Sequence, residues 1–399
     1  MNITSEPKAQ ANSEYRSARD PLCDIVIPPR DASGDAKLSS MREYIRKLAK
    51  ATRAESDSIL PGLDQHVQDV LKAGRKYPLH IVLLRHLLER YQVPGRGKPI
   101  EDLTQGFDLI GDILVDETIE EDDKAVRDYL VSEDQLVSRA SRSSDKLQKI
   151  GPSKELSEED VEEIFRQTEV EIPMGRMQKF EDVGIGPEFP PTRRFAVQQL
   201  SSEGSTKLRP IDDYLSSQIN GLSRVGKRIF VGKTETIISS MTFVKRHRPG
   251  QKLVTTKLDF KAAYRSCPIK REHPDWTTVI VWDPKKKRYR QTQHFCMPFG
   301  AVSAVYAWHR VGQALTAILS SALTIPFNRH VDDRFAAIPK DGATEARNFC
   351  LEIIELLGFD RCAKDVIEMC ETNNAETTKL FKERGECHAP TPDASVGAV

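Results

Sequence analysis

Net charge is what this chain lacks most plainly. Its 59 lysines and arginines cancel its 59 aspartates and glutamates, so no overall field draws it to a polyanion, and any such attraction has to come from local clusters. Cysteine pairing signals are missing too. The seven cysteines (Cys23, Cys267, Cys296, Cys350, Cys362, Cys370, Cys387) are odd in number and irregular in spacing, with no CxxC pair and no zinc-knuckle pattern. Reduced thiols are expected, in an intracellular compartment not distinguished between nucleus and cytoplasm. The opening residues, MNITSEPKAQANSEYRSARD, hold no apolar signal core, and the long apolar run Ala301 to Leu323 is interrupted by Ser303, His309, Arg310 and Gly312. Neither secretion nor a membrane partner is therefore expected. No internal repeat and no low-complexity linker divides the chain.

At 399 residues and 39% hydrophobic, the chain has room for a large core and two or three domains. Residues 1–36 are polar and expected to be disordered. Residues 37–173 read as a helical extension, from KLSSMREYIRKLAKATRA through PLHIVLLRHLLERYQ to SEEDVEEIFRQ, where Ser157 followed by Asp160 suits a helix start. Within it, GFDLIGDI has no assignable chemistry, and the acidic block around Asp116 to Asp123 reads as a solvated face. A glycine- and proline-rich run, residues 174–192, marks the boundary to mixed α/β material over 193–365. Residues 366–399 form a polar, proline-containing tail.

Two acidic sites stand out in the second half. Phe327 to Ala336, FNRHVDDRFA, places Asp332 and Asp333 at the bend of a hairpin between β-prone runs, and Asp259 opens LDFKAAYRSCPI at the end of another. Adjacent aspartates alone are usually a solvated turn. Beside apolar strands they are costly unless cations or donors satisfy them, and carboxylates at strand ends are what a pair of Mg²⁺ ions, about 3.5–4 Å apart, needs for in-line phosphoryl transfer. A second hairpin is predicted where TTVIVWD and YRQTQHF flank PKKKR, with Lys285, Lys286, Lys287 and Arg288 at its tip; the tip reads as a nucleic-acid backbone contact or as a solvated turn.

Four segments occur together in one order: KLRPIDDY with Ile219 and Asn220, LDFKAAYRSCPI, MPFGAVSAVYAWHRV and HVDD. The set resembles the reverse transcriptases of retroelements over about Arg193 to Lys364. The resemblance implies an α+β fold, the right-hand polymerase palm and fingers, a small antiparallel sheet backed by helices. It implies an RNA-directed DNA polymerase with Mg²⁺ as the two ions, Mn²⁺ as an alternative, and dNTPs and a primed RNA or DNA template as partners. By the same resemblance Asp259, Asp332, Asp333 and the carbonyl of Phe260 hold the metals. Tyr264 is the aromatic gate against a ribose 2′-OH, Arg209 with Lys207 binds the triphosphate, Phe299 and Gly300 meet the nascent base pair, and Lys364 is a general acid toward pyrophosphate. Asp213 and Asn220 match structural positions. Arg193, Arg194 and Gln198, on the strand-like RRFAVQQL, read as facing template or triphosphate, or as an exposed strand edge.

The sequence also departs from the pattern. His330 stands where the family carries tyrosine or phenylalanine, and nothing after about Asp365 resembles a thumb or an RNase H domain. A second polypeptide is therefore an expected partner, to supply what is missing. Two other readings stay open: a truncated or domesticated, catalytically inactive remnant that binds nucleic acid or a partner, and a viral-type RNA-directed RNA polymerase, against which Tyr264 and Val331 speak.

Overall fold

The computed structural model describes residues 32–360 apart from 76, 114–127, 151–155, 184–188, 201–205, 227–228, 230–231, 233 and 248. Residues 1–31, the acidic block, Lys364 and the tail lie outside the described residues. The N-terminal stretch expected to be disordered reached residue 36, but helix α1, Ala32–Ile59, already begins before that.

Helices dominate the first half: α2 (Gln65–Lys72), α3 (Ile81–Arg90), α4 (Gly97–Gln105), then α5 (Glu133–Val137), α6 (Ala140–Ile150) and α7 (Glu158–Glu171). The start of α7 follows the sequence signal. Ser157 accepts from the Asp160 amide at 3.1 Å and Asp160 returns the bond to the Ser157 amide at 3.3 Å, satisfying donors that the first turn leaves unpaired. The helices are interrupted by β1, Gly111–Ile113, inside GFDLIGDI.

Past α7 the chain forms β2 (Glu181–Asp182), β3 (Thr192–Leu200), β4 (Thr206–Asp212), β5 (Ser223–Val225), α8 (Thr234–His247), β6 (Leu253–Leu258), β7 (Val279–Asp283), β8 (Arg288–Thr292), α9 (Val302–Leu323), β9 (Phe327–His330), β10 (Asp333–Pro339) and α10 (Ala343–Leu356). The predicted hairpin around PKKKR is β7 and β8, paired antiparallel from Val279↔Thr292 to Asp283↔Arg288. A five-stranded sheet runs β2-β8-β7-β3-β4, a three-stranded antiparallel one β6-β10-β9, and β1 pairs with β5 in parallel. The molecule is thus a mixed α and β protein, and among its described residues no helix is long and apolar enough to cross a membrane.

Alternation sorts the three-stranded sheet into two faces. Arg334, Ala336 and Ile338 are buried on one, toward α9, whose Ala304, Trp308, Val311, Leu315, Ile318 and Leu319 recur at the spacing of a single helical face. The other face carries Asn328, whose amide donates to Ser240 of α8 at 2.9 Å. A single core runs from Ile45 of α1 to Phe359 after α10, so the helical half and the aspartate-bearing half are packed as one. A smaller core, Ile164, Phe165, Met177, Val279 and Val281, seats α7 on the five-stranded sheet. Met177 and Phe180, from the glycine- and proline-rich run, belong to that packing, Phe180 stacking on Phe165 at 4.8 Å.

Candidate active site

The β9–β10 register pairs Asp333 with His330, leaving Val331 and Asp332 as a two-residue loop. Such loops take a positive φ to match the strand twist, and Val331 lies at φ 52°. A left-handed conformation costs a non-glycine residue roughly 1–2 kcal/mol, so something must hold it. Two guanidiniums do so: Arg329 donates to the Val331 carbonyl at 3.2 Å and Arg334 to the Asp332 carbonyl at 3.0 Å. Strain retained in this way is typical of functional loops.

Arg334 pairs with Leu258, the last residue of β6. Asp259 therefore emerges at the same end of the sheet as Asp332 and Asp333, although far from them in sequence. In front of the pair, Lys257 donates to Asp333 at 2.7 Å. Burial pushes the Asp332 carboxyl above its ordinary pKa; its own backbone hydrogen bond opposes this, and the charges of Asp333 and Asp259 add to the rise. The Lys257 ammonium is raised although burial opposes it, because Asp333, Asp259 and Asp332 outweigh that cost. The charges of Asp333 and Asp259 thus reach Asp332.

The donor set suits hard cations: carboxylate oxygens with the Phe260 carbonyl next in the chain. Among the described residues no group of three or more His, Cys, Asp or Glu side chains is gathered tightly enough to enclose an ion. Mg²⁺ keeps several waters and is held through one or two carboxylates rather than an all-protein cage, so Asp259 and Asp332 would suffice to hold it.

Tyr264 lies in a short 3-10 turn, Tyr264–Ser266, 7% exposed, its ring edge-on to Phe299 with centroids 5.0 Å apart. Burial, with the Asp332 charge added, pushes its hydroxyl pKa well up, so a neutral phenol adjoins the aspartates. Phe260 turns its ring into the core, 5.3 Å from Trp308 and 4.1 Å from the Arg334 guanidinium. The turn before α9 is locked from the other sheet. Gly300 has φ 104°, and a Cβ there would stand 2.1 Å from the Asp212 carbonyl. Asn220 donates to the Gly300 carbonyl and accepts from the Val302 amide, both at 2.9 Å. Asp213 caps its own turn through the Ser216 amide at 2.9 Å.

Lys207 and Arg209 are exposed and alternate on one face of β4. No hydrogen bond or ion pair among the described residues joins them to the aspartates. Their strand reaches the site through Asp212, whose amide donates to the Phe299 carbonyl at 3.2 Å; Arg209 is three residues away, about 10 Å of extended chain. Lys364 lies outside the described residues. Gln198 donates to Asp160 at 2.9 Å, which ties it to the start of α7. His330 is exposed at the hairpin, its Nδ1 3.4 Å from the Gly232 carbonyl.

Arg194 corrects the sequence reading. Instead of facing template or triphosphate it is buried against Asp212, with bonds of 2.8 and 3.0 Å. It opens a chain of buried polar groups that sequence reasoning missed. Asp212 accepts from His294 Nε2 at 2.9 Å, His294 Nδ1 meets Arg265 at 2.7 Å, and Arg265 donates to Glu171 at 2.8 Å. Guanidiniums face both ring nitrogens, Arg265 at Nδ1 and Arg194 at 3.0 Å from Nε2; with Nδ1 accepting the shorter bond from Arg265, Nε2 carries the proton toward Asp212. The chain ties β4, the residue after Tyr264, the segment leading to Phe299, and α7. Its one sequence trace is the run of polar residues inside otherwise apolar segments. No protein-family model matches the chain, and no curated protein is similar to it.

Proposed function

We propose that the chain is a template-directed nucleotidyltransferase of the reverse-transcriptase type, adding dNMP to a primer 3′-OH and releasing pyrophosphate. The observation that carries this reading is the arrival of Asp259, Asp332 and Asp333 at one end of an antiparallel sheet from separate segments, with Tyr264 near enough to Asp332 to feel its charge. In this reading the β6-β10-β9 sheet backed by α9 is the palm and the five-stranded sheet the fingers.

Asp259 and Asp332 would hold two Mg²⁺ or Mn²⁺ ions, with Asp333 and the Phe260 carbonyl completing the set. When bound, the ions lower the pKa of the primer hydroxyl and neutralise charge on the phosphoryl oxygens. The remaining work is positioning by the chain itself. Arg209 and Lys207 grip the triphosphate, for which a planar guanidinium bridging two oxygens is suited. In this reading the Tyr264 ring, 5.0 Å from that of Phe299, would be the gate against a ribose 2′-OH and so select dNTPs. The Phe299–Gly300 turn approaches the nascent base pair, and Lys364 enters only through the resemblance. The partners are dNTPs and a primed RNA or DNA template.

Primer extension by the purified chain with Mg²⁺ and dNTPs tests this. Asp332→Asn should lower extension by roughly a hundredfold or more, as loss of a transition-state charge stabiliser does, while circular dichroism and the unfolding midpoint stay near wild type. Extension at an unchanged rate in that variant refutes the assignment.

A further inference from the structure

Three carboxylates, Asp259, Asp332 and Asp333, are faced by three cations held in two different ways. Arg334 is fully buried and hydrogen-bonds neutral acceptors: Thr316 Oγ1 at 3.2 Å, the Gly312 carbonyl at 3.0 Å and the Asp332 carbonyl at 3.0 Å. Its guanidinium lies 4.1 Å from the Phe260 ring and 5.6 Å from that of Trp308. Arg329 is tied to the Val331 carbonyl and the His309 ring. No carboxylate lies within ion-pair distance of either among the described residues; both meet the loop through its carbonyl oxygens. Both are fixed. Lys257 differs: among the described residues its one ion pair is to Asp333, its ammonium also lies 5.7 Å from the Phe335 ring centroid, and its side chain is 44% exposed. An ammonium on a long rotatable stem can leave a carboxylate for water at small cost.

We propose that Lys257 is a displaceable counter-ion of the aspartate cluster, occupying Asp333 until a divalent ion enters and moves it off, while Arg329 and Arg334 remain as fixed counter-charges beneath the loop. The inference rests on the metal-site reading above. It makes Lys257 a positioning residue: it keeps the carboxylates in place before the ions arrive and sets the affinity with which they are taken up. A partly exposed pair of this kind is worth roughly 0.2–1 kcal/mol, which is about 1.4- to 5-fold in affinity, and repulsion between ammonium and entering ion adds to it.

Mn²⁺ titration of the full chain without substrate, following free Mn²⁺ by electron paramagnetic resonance, tests the idea apart from any activity. Lys257→Met should bind Mn²⁺ about three- to tenfold more tightly than wild type. Lys257→Gln, uncharged but polar, should match it, Lys257→Arg should stay within about twofold of wild type because it keeps the charge, and Asp332→Asn should lose the site. Equal Mn²⁺ affinity in wild type and both uncharged variants, with loss in Asp332→Asn, overturns the counter-ion role and leaves the metal site standing. Absence of Mn²⁺ binding in all of them overturns both.

Discussion

His294 shows how much one buried side chain can carry. It is 0% exposed, donates from Nε2 to Asp212 and accepts at Nδ1 from Arg265, so it works only as a neutral ring. Burial pushes its pKa from 6.5 down to about 4; Asp212 pulls against this, and Arg265 reinforces it. His309 is pushed down to about 3, by burial and then Arg329. Both folded values lie below the unfolded one. As pH falls through 6.5 the unfolded chain takes up protons that the folded one refuses, so this stability is complete above that pH and drains away toward 4. Glu171, which burial would raise but Arg265 and Arg176 hold at about 2, adds a second loss between 4.5 and 2. The urea midpoint should therefore fall between pH 7 and pH 5, before carboxylates protonate, and the fall should be shallower in His294→Gln. A midpoint that is flat over that window contradicts a neutral buried His294. The sequence carried only a trace of this, since Arg194, Asp212 and His294 sit in separate strand-like runs and alternation alone does not say which polar residue turns inward.

At the scale of elements, the contact between β4 and the turn before α9 is the tightest joint near the site. Gly300→Ala places a Cβ against the Asp212 carbonyl in a left-handed backbone, so a loss on the order of 1–3 kcal/mol is expected from the backbone strain alone. Denaturant unfolding measures it, and a loss below about 0.5 kcal/mol, the size of an ordinary surface change, contradicts the joint. The elements with a clear local period were readable: α9 from its apolar spacing, the β7–β8 hairpin from alternation around PKKKR, the β9–β10 hairpin from the runs beside the aspartates. What escaped was set by distant partners. The parallel pairing of β1 with β5 joins three-residue strands more than a hundred residues apart, too short for a period to show. Gly106, whose Cβ would stand 2.4 Å from the Lys270 amide, explains in hindsight why GFDLIGDI begins with glycine: the segment passes against the exit from LDFKAAYRSCPI.

On the scale of the whole molecule, the cancellation of charge conceals an uneven distribution. Lys285, Lys286, Lys287 and Arg288 crowd the exposed tip of the five-stranded sheet, Lys207 and Arg209 line its edge strand, and the aspartates gather on the smaller sheet. The main core lies behind the smaller sheet and joins it to the helical half, while a second, smaller core seats the five-stranded sheet on α7. The four segments that resemble a polymerase were legible because strand-end aspartates and a glycine turn before an apolar helix are local signals. Their convergence was implied only by the resemblance, because it depends on the register of β6 against β10. Crystals of the chain soaked with Mn²⁺ and a dNTP, examined by anomalous scattering, address that convergence directly. Two peaks about 3.5–4 Å apart, in contact with Asp259 and Asp332, are expected. Mn²⁺ bound only elsewhere, with those carboxylates bare, contradicts the polymerase reading.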